Sequence, residues 1–128
     1  MKKIIQTQTA PQALGSYSQG VSSTASEWLF LSGQIAISPE TGQLVQGGIE
    51  EQTERVLQNL QAVLSAAGGD LSQVVKATIY LQNLEEFAKF NAVYSRYFTT
   101  SPPARSTVEV SRLPKGALIE IDWIAALG

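Results

Sequence analysis

Between residues 49 and 67 the apolar side chains fall at Val56, Leu57, Leu60, Val63, Leu64 and Ala67. That spacing is one stripe of an α-helix, and Gly68-Gly69 supplies its C-terminal stop. A second stripe runs through Phe87, Phe90, Tyr94, Tyr97 and Phe98. Asn83, with Glu86 three residues on, resembles a capping box for it. Pro102 and Pro103 then end any helix and set an extended entry into residues 104–111. The remaining apolar runs are strand-like: "KKIIQT", "EWLFLSGQIAI" from Glu27, "SQVVKATIYLQ" with its β-branched Val74, Val75, Thr78 and Ile79, and "ALIEIDWIAAL" over 117–127. Between the first two lies a polar, Gly- and Ser-rich stretch, "ALGSYSQGVSS".

The expected order is β-β-β-α-β-α-β-β, an α+β domain in which a mixed six-stranded sheet carries two helices on one face. No linker or shift in composition divides the chain, so residues 1–128 read as a single domain. In the last strand Ile119, Ile121, Trp123, Ala125 and Leu127 alternate with Leu118, Glu120, Asp122 and Ile124. The continuous apolar set is assigned to the helices. Glu120 and Asp122 then face away from them, and Arg105 is expected on that same outer side. The short "RLPKGA" connection allows residues 105–111 and the last strand to pair as a hairpin.

Composition narrows the chemistry. Of 128 residues 44% are hydrophobic and only 16% charged, which leaves a monomer much apolar surface and points to an oligomer. The chain has no cysteine and no histidine. Disulfides, thiolate nucleophiles, Cys/His zinc sites and Ser-His-Asp triads are excluded. Any proton transfer falls to Glu, Asp, Tyr, Lys, hydroxyls, backbone or water. No carboxylate spacing suits a metal, so none is expected. Nine scattered Lys and Arg against a net charge of −2 form no basic stripe, which speaks against nucleic acid. The N-terminus lacks the apolar run of a signal peptide and no stretch is long enough to span a membrane, so a soluble cytoplasmic protein is expected.

Two positions resist a purely structural account. Arg105 follows the proline pair at the mouth of a strand. It is either a receptor for a carboxylate or one partner of a cross-strand ion pair worth about 0.2–1 kcal/mol. Asn91 falls on the apolar stripe of its helix, where its amide needs partners, whether to hold a loop or to line a site.

"PPARSTVEVSRLPKGALIEID" resembles the C-terminal signature of the reactive intermediate deaminase (RidA/YjgF) family: Pro-Ala-Arg-small, then V-x-V-x-x-L-P, then an "IEI" strand. "LGSYSQG", "LFLSGQI", "AAGGDLSQVVKATIYL" and "FNAVYSRYF" match further family segments in order, so the resemblance spans the chain. It implies a chorismate-mutase-like fold and a homotrimer with clefts between subunits. It also implies cofactor-free hydrolysis of 2-imino acids or their enamine tautomers, formed by pyridoxal-phosphate enzymes, to 2-oxo acids and ammonia. By that resemblance Arg105 binds the substrate carboxylate and Glu120 positions water or carries its proton. Tyr17 brings a hydroxyl from the adjacent subunit, and Ser32, Gly33 and Asn91 line the cleft. Thr107 stands where many members carry cysteine, which puts weight on its backbone and leaves no thiol to regulate. Two other readings stay open: a small-carboxylate-binding regulator or chaperone-like protein on the same fold, and an RNA-cleaving activity, against which the charge pattern argues.

Overall fold

A computed structural model describes residues 2–128. The elements follow the expected order: β1 (Lys2–Ile5), β2 (Gly20–Ser23), β3 (Glu27–Gln34), α1 (Ile49–Ala66), β4 (Val74–Leu81), α2 (Phe87–Tyr97), β5 (Ala104–Glu109) and β6 (Ile119–Leu127). β2 forms from the end of the stretch read as polar and Gly/Ser-rich. The six strands divide between two sheets. β1 and β2 make an antiparallel ribbon, and the main sheet runs β3-β6-β4-β5. β6 is antiparallel to both β3 and β4, while β5 lies parallel to β4 at the edge, so the main sheet is mixed.

The expected hairpin does not form. β6 pairs with β4 and β3, and among the described residues β5 has β4 as its one strand neighbour, besides an isolated bridge from Ala104 to Ser18. The connecting turn uses left-handed backbone at Lys115 (φ 58°) and Gly116 (φ 69°), and it carries the chain across β4 to the far side.

Both helices bury their stripes on one face of the main sheet. Val56, Leu57, Leu60 and Leu64 of α1, with Phe90 and Tyr94 of α2, pack on Ile119, Ile121, Trp123 and Ala125 of β6. Full burial of each such side chain contributes about 1.5–3 kcal/mol, which is what holds these short helices in place. Val63 and Ala67, at the flank of the predicted stripe, stay exposed, and Ile49 and Thr53 are buried instead. α1 starts at Gly48, whose N–H donates to Glu51 Oε1 at 2.8 Å. It ends in a Schellman pair, Gly68 N–H to Ser65 O and Gly69 N–H to Leu64 O, with Gly68 at φ 82°. Asn83 does cap, but what it caps is a 3-10 turn over Leu84–Glu86, through a bond from Glu85 N–H. α2 begins only at Phe87.

Among the described residues no helix covers the opposite face of the main sheet. That face presents Trp28 (48% exposed) and Phe30 (72% exposed) from β3 and Val108 from β5, around Glu120, Asp122 and Tyr80. Among the described residues no helix is long and apolar enough to cross a membrane.

Candidate active site

Face alternation across the register places Arg105. It pairs with Ala77 of β4, which pairs with Trp123 of β6, and both are buried under the helices. Arg105 and Thr107 therefore point to the helix side. Glu120, registered with Tyr80, points to the other. The expectation that Arg105 shares the outer side with Glu120 is thus reversed, because a parallel edge strand beside β4 has a different phase from a hairpin partner of β6.

On the helix side the guanidinium is enclosed by aromatic rings. Its carbon lies 5.1 Å from the ring centre of Tyr94, 5.3 Å from Tyr17, 5.5 Å from Phe87 and 5.7 Å from Phe90. Each ring face attracts the cation electrostatically. Arg105 Nη1 donates to Asn91 Oδ1 at 2.8 Å and to the Ser16 carbonyl at 3.4 Å. Asn91 thus has its acceptor: it faces Arg105, one turn of α2 beyond Phe87. Burial pushes the guanidinium below its ordinary value, opposed by Tyr94 and Tyr17. A guanidinium is so strong a base that it stays protonated at neutral pH. Among the described residues no carboxylate pairs with it, and Nε and Nη2 make no hydrogen bond. A half-buried cation without an anion, with one edge of its fork unused, is arranged to receive one.

The segment over the cation is Gly15-Ser16-Tyr17. A β-carbon at Gly15 would stand 3.5 Å from Arg105 Nη2, so the backbone runs directly past the fork. Tyr17 was expected from a neighbouring subunit. Its ring instead lies on its own chain's arginine, and its hydroxyl oxygen accepts from Leu14 N–H at 3.3 Å. The Thr107 hydroxyl, one step along the same face, is buried without a partner.

Ser32, Gly33 and Glu120 gather on the outer face. The β3–β6 ladder is irregular between Leu31 and Gln34, and Gly33 sits in that irregularity. A β-carbon at Gly33 would overlap the Glu120 carboxyl group, so glycine there is what gives the carboxylate its room. Tyr80 donates to Asp122 Oδ2 at 3.2 Å beside it. Burial first, then Asp122 and Glu120, push the Tyr80 hydroxyl upward, so it stays a donor at neutral pH. The sequence-predicted residues thus form two groups, Tyr17, Asn91, Arg105 and Thr107 on one face and Ser32, Gly33 and Glu120 on the other, and one chain does not join them. The aromatic cage was legible only as a core stripe. The polar Asn91 within that stripe was the signal that part of it faces a site. Among the described residues no three His, Cys, Asp or Glu side chains group as a metal site would require.

Residues 7–127 match the family model described as endoribonuclease L-PSP. A RutC family protein of Pyrococcus horikoshii is 52% identical over 125 residues, 98% of each chain. A bovine protein named 2-iminobutanoate/2-iminopropanoate deaminase is 44% identical over 128 residues, all of this chain and 92% of its own. A crystal structure of E. coli TdcF with bound serine superposes with a TM-score of 0.76 at 38% identity, covering 98% of this chain and 99% of that one. The motifs around Arg105, the α+β fold and these full-length matches agree, and the chain belongs to the endoribonuclease L-PSP family, that of the reactive intermediate (RidA/YjgF) deaminases.

Proposed function

We propose that the protein is a 2-iminobutanoate/2-iminopropanoate deaminase, hydrolysing reactive 2-imino acids to 2-oxo acids and ammonia. The observation that carries this reading is the caged, anion-free Arg105, whose free Nε/Nη2 edge fits a carboxylate in two parallel hydrogen bonds. The name of the bovine relative, and the serine bound to TdcF, support a small ligand with a carboxylate next to a nitrogen-bearing carbon.

With the carboxylate on Arg105, water adds to the carbon of the protonated C=N bond and gives a carbinolamine. A proton passes from the former water to nitrogen, the C–N bond breaks toward ammonia, and the 2-oxo acid remains. Glu120 orients the water and carries that proton, help typically worth about 10²–10⁴-fold. Tyr17, Asn91 and Thr107 hold the acid around Arg105, and Ser32 and Gly33 flank the water. No enzyme nucleophile enters, so threonine at position 107 costs the reaction nothing.

Arg105 and Glu120 face opposite ways in one chain, so the working site combines Arg105 of one subunit with Glu120 of another. The uncovered outer face with Trp28 and Phe30 supports this assembly, which we take to be a homotrimer. The expected setting is the cytoplasm, with no cofactor, metal, membrane or nucleic acid. Nine scattered cations on a chain of net charge −2 favour this reading over the RNA cleavage that the family description names. The same split favours one alternative, a carboxylate-binding regulator that binds at Arg105 without turnover. Hydrolysis of 2-iminobutanoate, generated in place by an amino-acid oxidase, separates the two. A rate no faster than without the protein rejects the deaminase, and binding of 2-oxobutanoate without turnover establishes the regulator.

A further inference from the structure

Three consecutive carbonyls lead into Arg105, and each is held by a residue from the N-terminal part of the chain. Lys2 Nζ donates to Ser101 O at 2.7 Å, and also to Val74 O at 3.0 Å. The Ser18 hydroxyl donates to Pro102 O at 2.5 Å, and the Ser18 N–H donates to Pro103 O at 3.1 Å. Ser18 then bridges in parallel to Ala104, the residue before the arginine. The held segment is strained at its start. Ser101 has φ 46°, left-handed backbone that a non-glycine residue adopts only where its surroundings force it, and it precedes a proline. Ser18 is 6% exposed, one of few buried polar side chains, and prolines leave the segment no N–H groups of its own at 102 and 103.

The position of Ser18 gives this clamp a consequence beyond folding. The residues just before it, Gly15, Ser16 and Tyr17, are those that run past the guanidinium, accept its Nη1–H and cover it with a ring. Ser18 therefore ties the loop above the cation to the strand below it. We infer that Ser18 is a positioning residue, whose hydroxyl sets the gap between the Tyr17 loop and Arg105 and so the affinity for the substrate carboxylate. This rests on the reading of Arg105 as a carboxylate receptor. In the proposed assembly Glu120, the proton carrier, comes from another subunit and is not held by Ser18, so the effect falls on binding and leaves the chemical step alone.

The test compares wild type, Ser18→Ala and Ser18→Thr by calorimetric titration with 2-oxobutanoate, an unreactive carboxylate, and by steady-state hydrolysis of 2-iminobutanoate. Loss of one buried hydrogen bond predicts that Ser18→Ala weakens 2-oxobutanoate binding and raises KM about five- to tenfold. kcat should change less than about twofold, and Ser18→Thr, which keeps the hydroxyl, should recover most of the affinity. If Ser18→Ala does not fold, Ser18→Cys, with its weak donor, takes its place with the same expected loss. Wild-type affinity in the folded Ala or Cys variant overturns the inference, as does a fall confined to kcat or a Thr variant as weak as Ala. Failure of wild type itself to bind 2-oxobutanoate overturns the carboxylate reading on which the inference stands.

Discussion

Arg105 and Glu120 lie on opposite faces of one sheet, two strands apart, with β4 between the strands that carry them. This relationship removes the simplest explanation of the arginine, a cross-strand ion pair with Glu120 or Asp122, and among the described residues no other carboxylate pairs with it. It also means that chemistry needing both groups is chemistry of an assembly.

Replacing Arg105 by lysine keeps the charge and removes the fork. Charge-assisted bonds contribute about 1.5–3 kcal/mol each, so kcat/KM for 2-iminobutanoate should fall by about 10²-fold or more, with the melting temperature little changed. Retention of wild-type kcat/KM would show that the cage holds a cation for structural reasons only.

Glu120→Gln leaves the shape of the outer cluster and removes the carboxylate proposed to carry the proton. The expected result is a fall in kcat of about 10²–10⁴-fold with 2-oxobutanoate affinity unchanged. Gly33→Ala should act in the same sense, since its β-carbon occupies the space of the Glu120 carboxyl group and must displace it. Steady-state kinetics of both variants check the pair, and undiminished kcat in Glu120→Gln would remove the residue from the mechanism.

Phe30 is 72% exposed on the outer face of β3, where a folded single chain gains nothing from a phenyl ring. Phe30→Asp should therefore yield a folded chain that sediments at single-chain mass and has lost hydrolysis. An assembly of unchanged mass would place the interface elsewhere.

The Gly48 N–H, then Glu51's own N–H, hold the Glu51 carboxyl below the usual carboxylate range. Its charged form is favoured by folding, so the stabilisation is fully present above the ordinary carboxylate value of about 4.3 and is lost as pH falls through the lower folded value. Wild type should melt above Glu51→Gln at pH 7, and the gap should close in acid. A gap independent of pH between 7 and 3 would count against the charge as its source.

Much of this protein follows from local pattern. Periodicity placed α1, α2 and the inward face of β6 with Ile119, Ile121 and Trp123, because burial selects one side of a helix or strand wherever the apolar set is continuous, whereas β2 lay in a stretch with no such pattern. The absence of His and Cys limited the chemistry, and Pro102-Pro103 marked the approach to Arg105. What only the tertiary structure decided is which way Arg105 points. In β5 the apolar Val108 faces outward and the polar Arg105 and Thr107 face the helices, the reverse of a simple amphipathic strand. Alternation fixes how residues of one strand face relative to each other, but the absolute side comes from the neighbours. Here those are β4 in parallel register, α2 with its rings and Asn91, and a loop some 90 residues earlier in the chain.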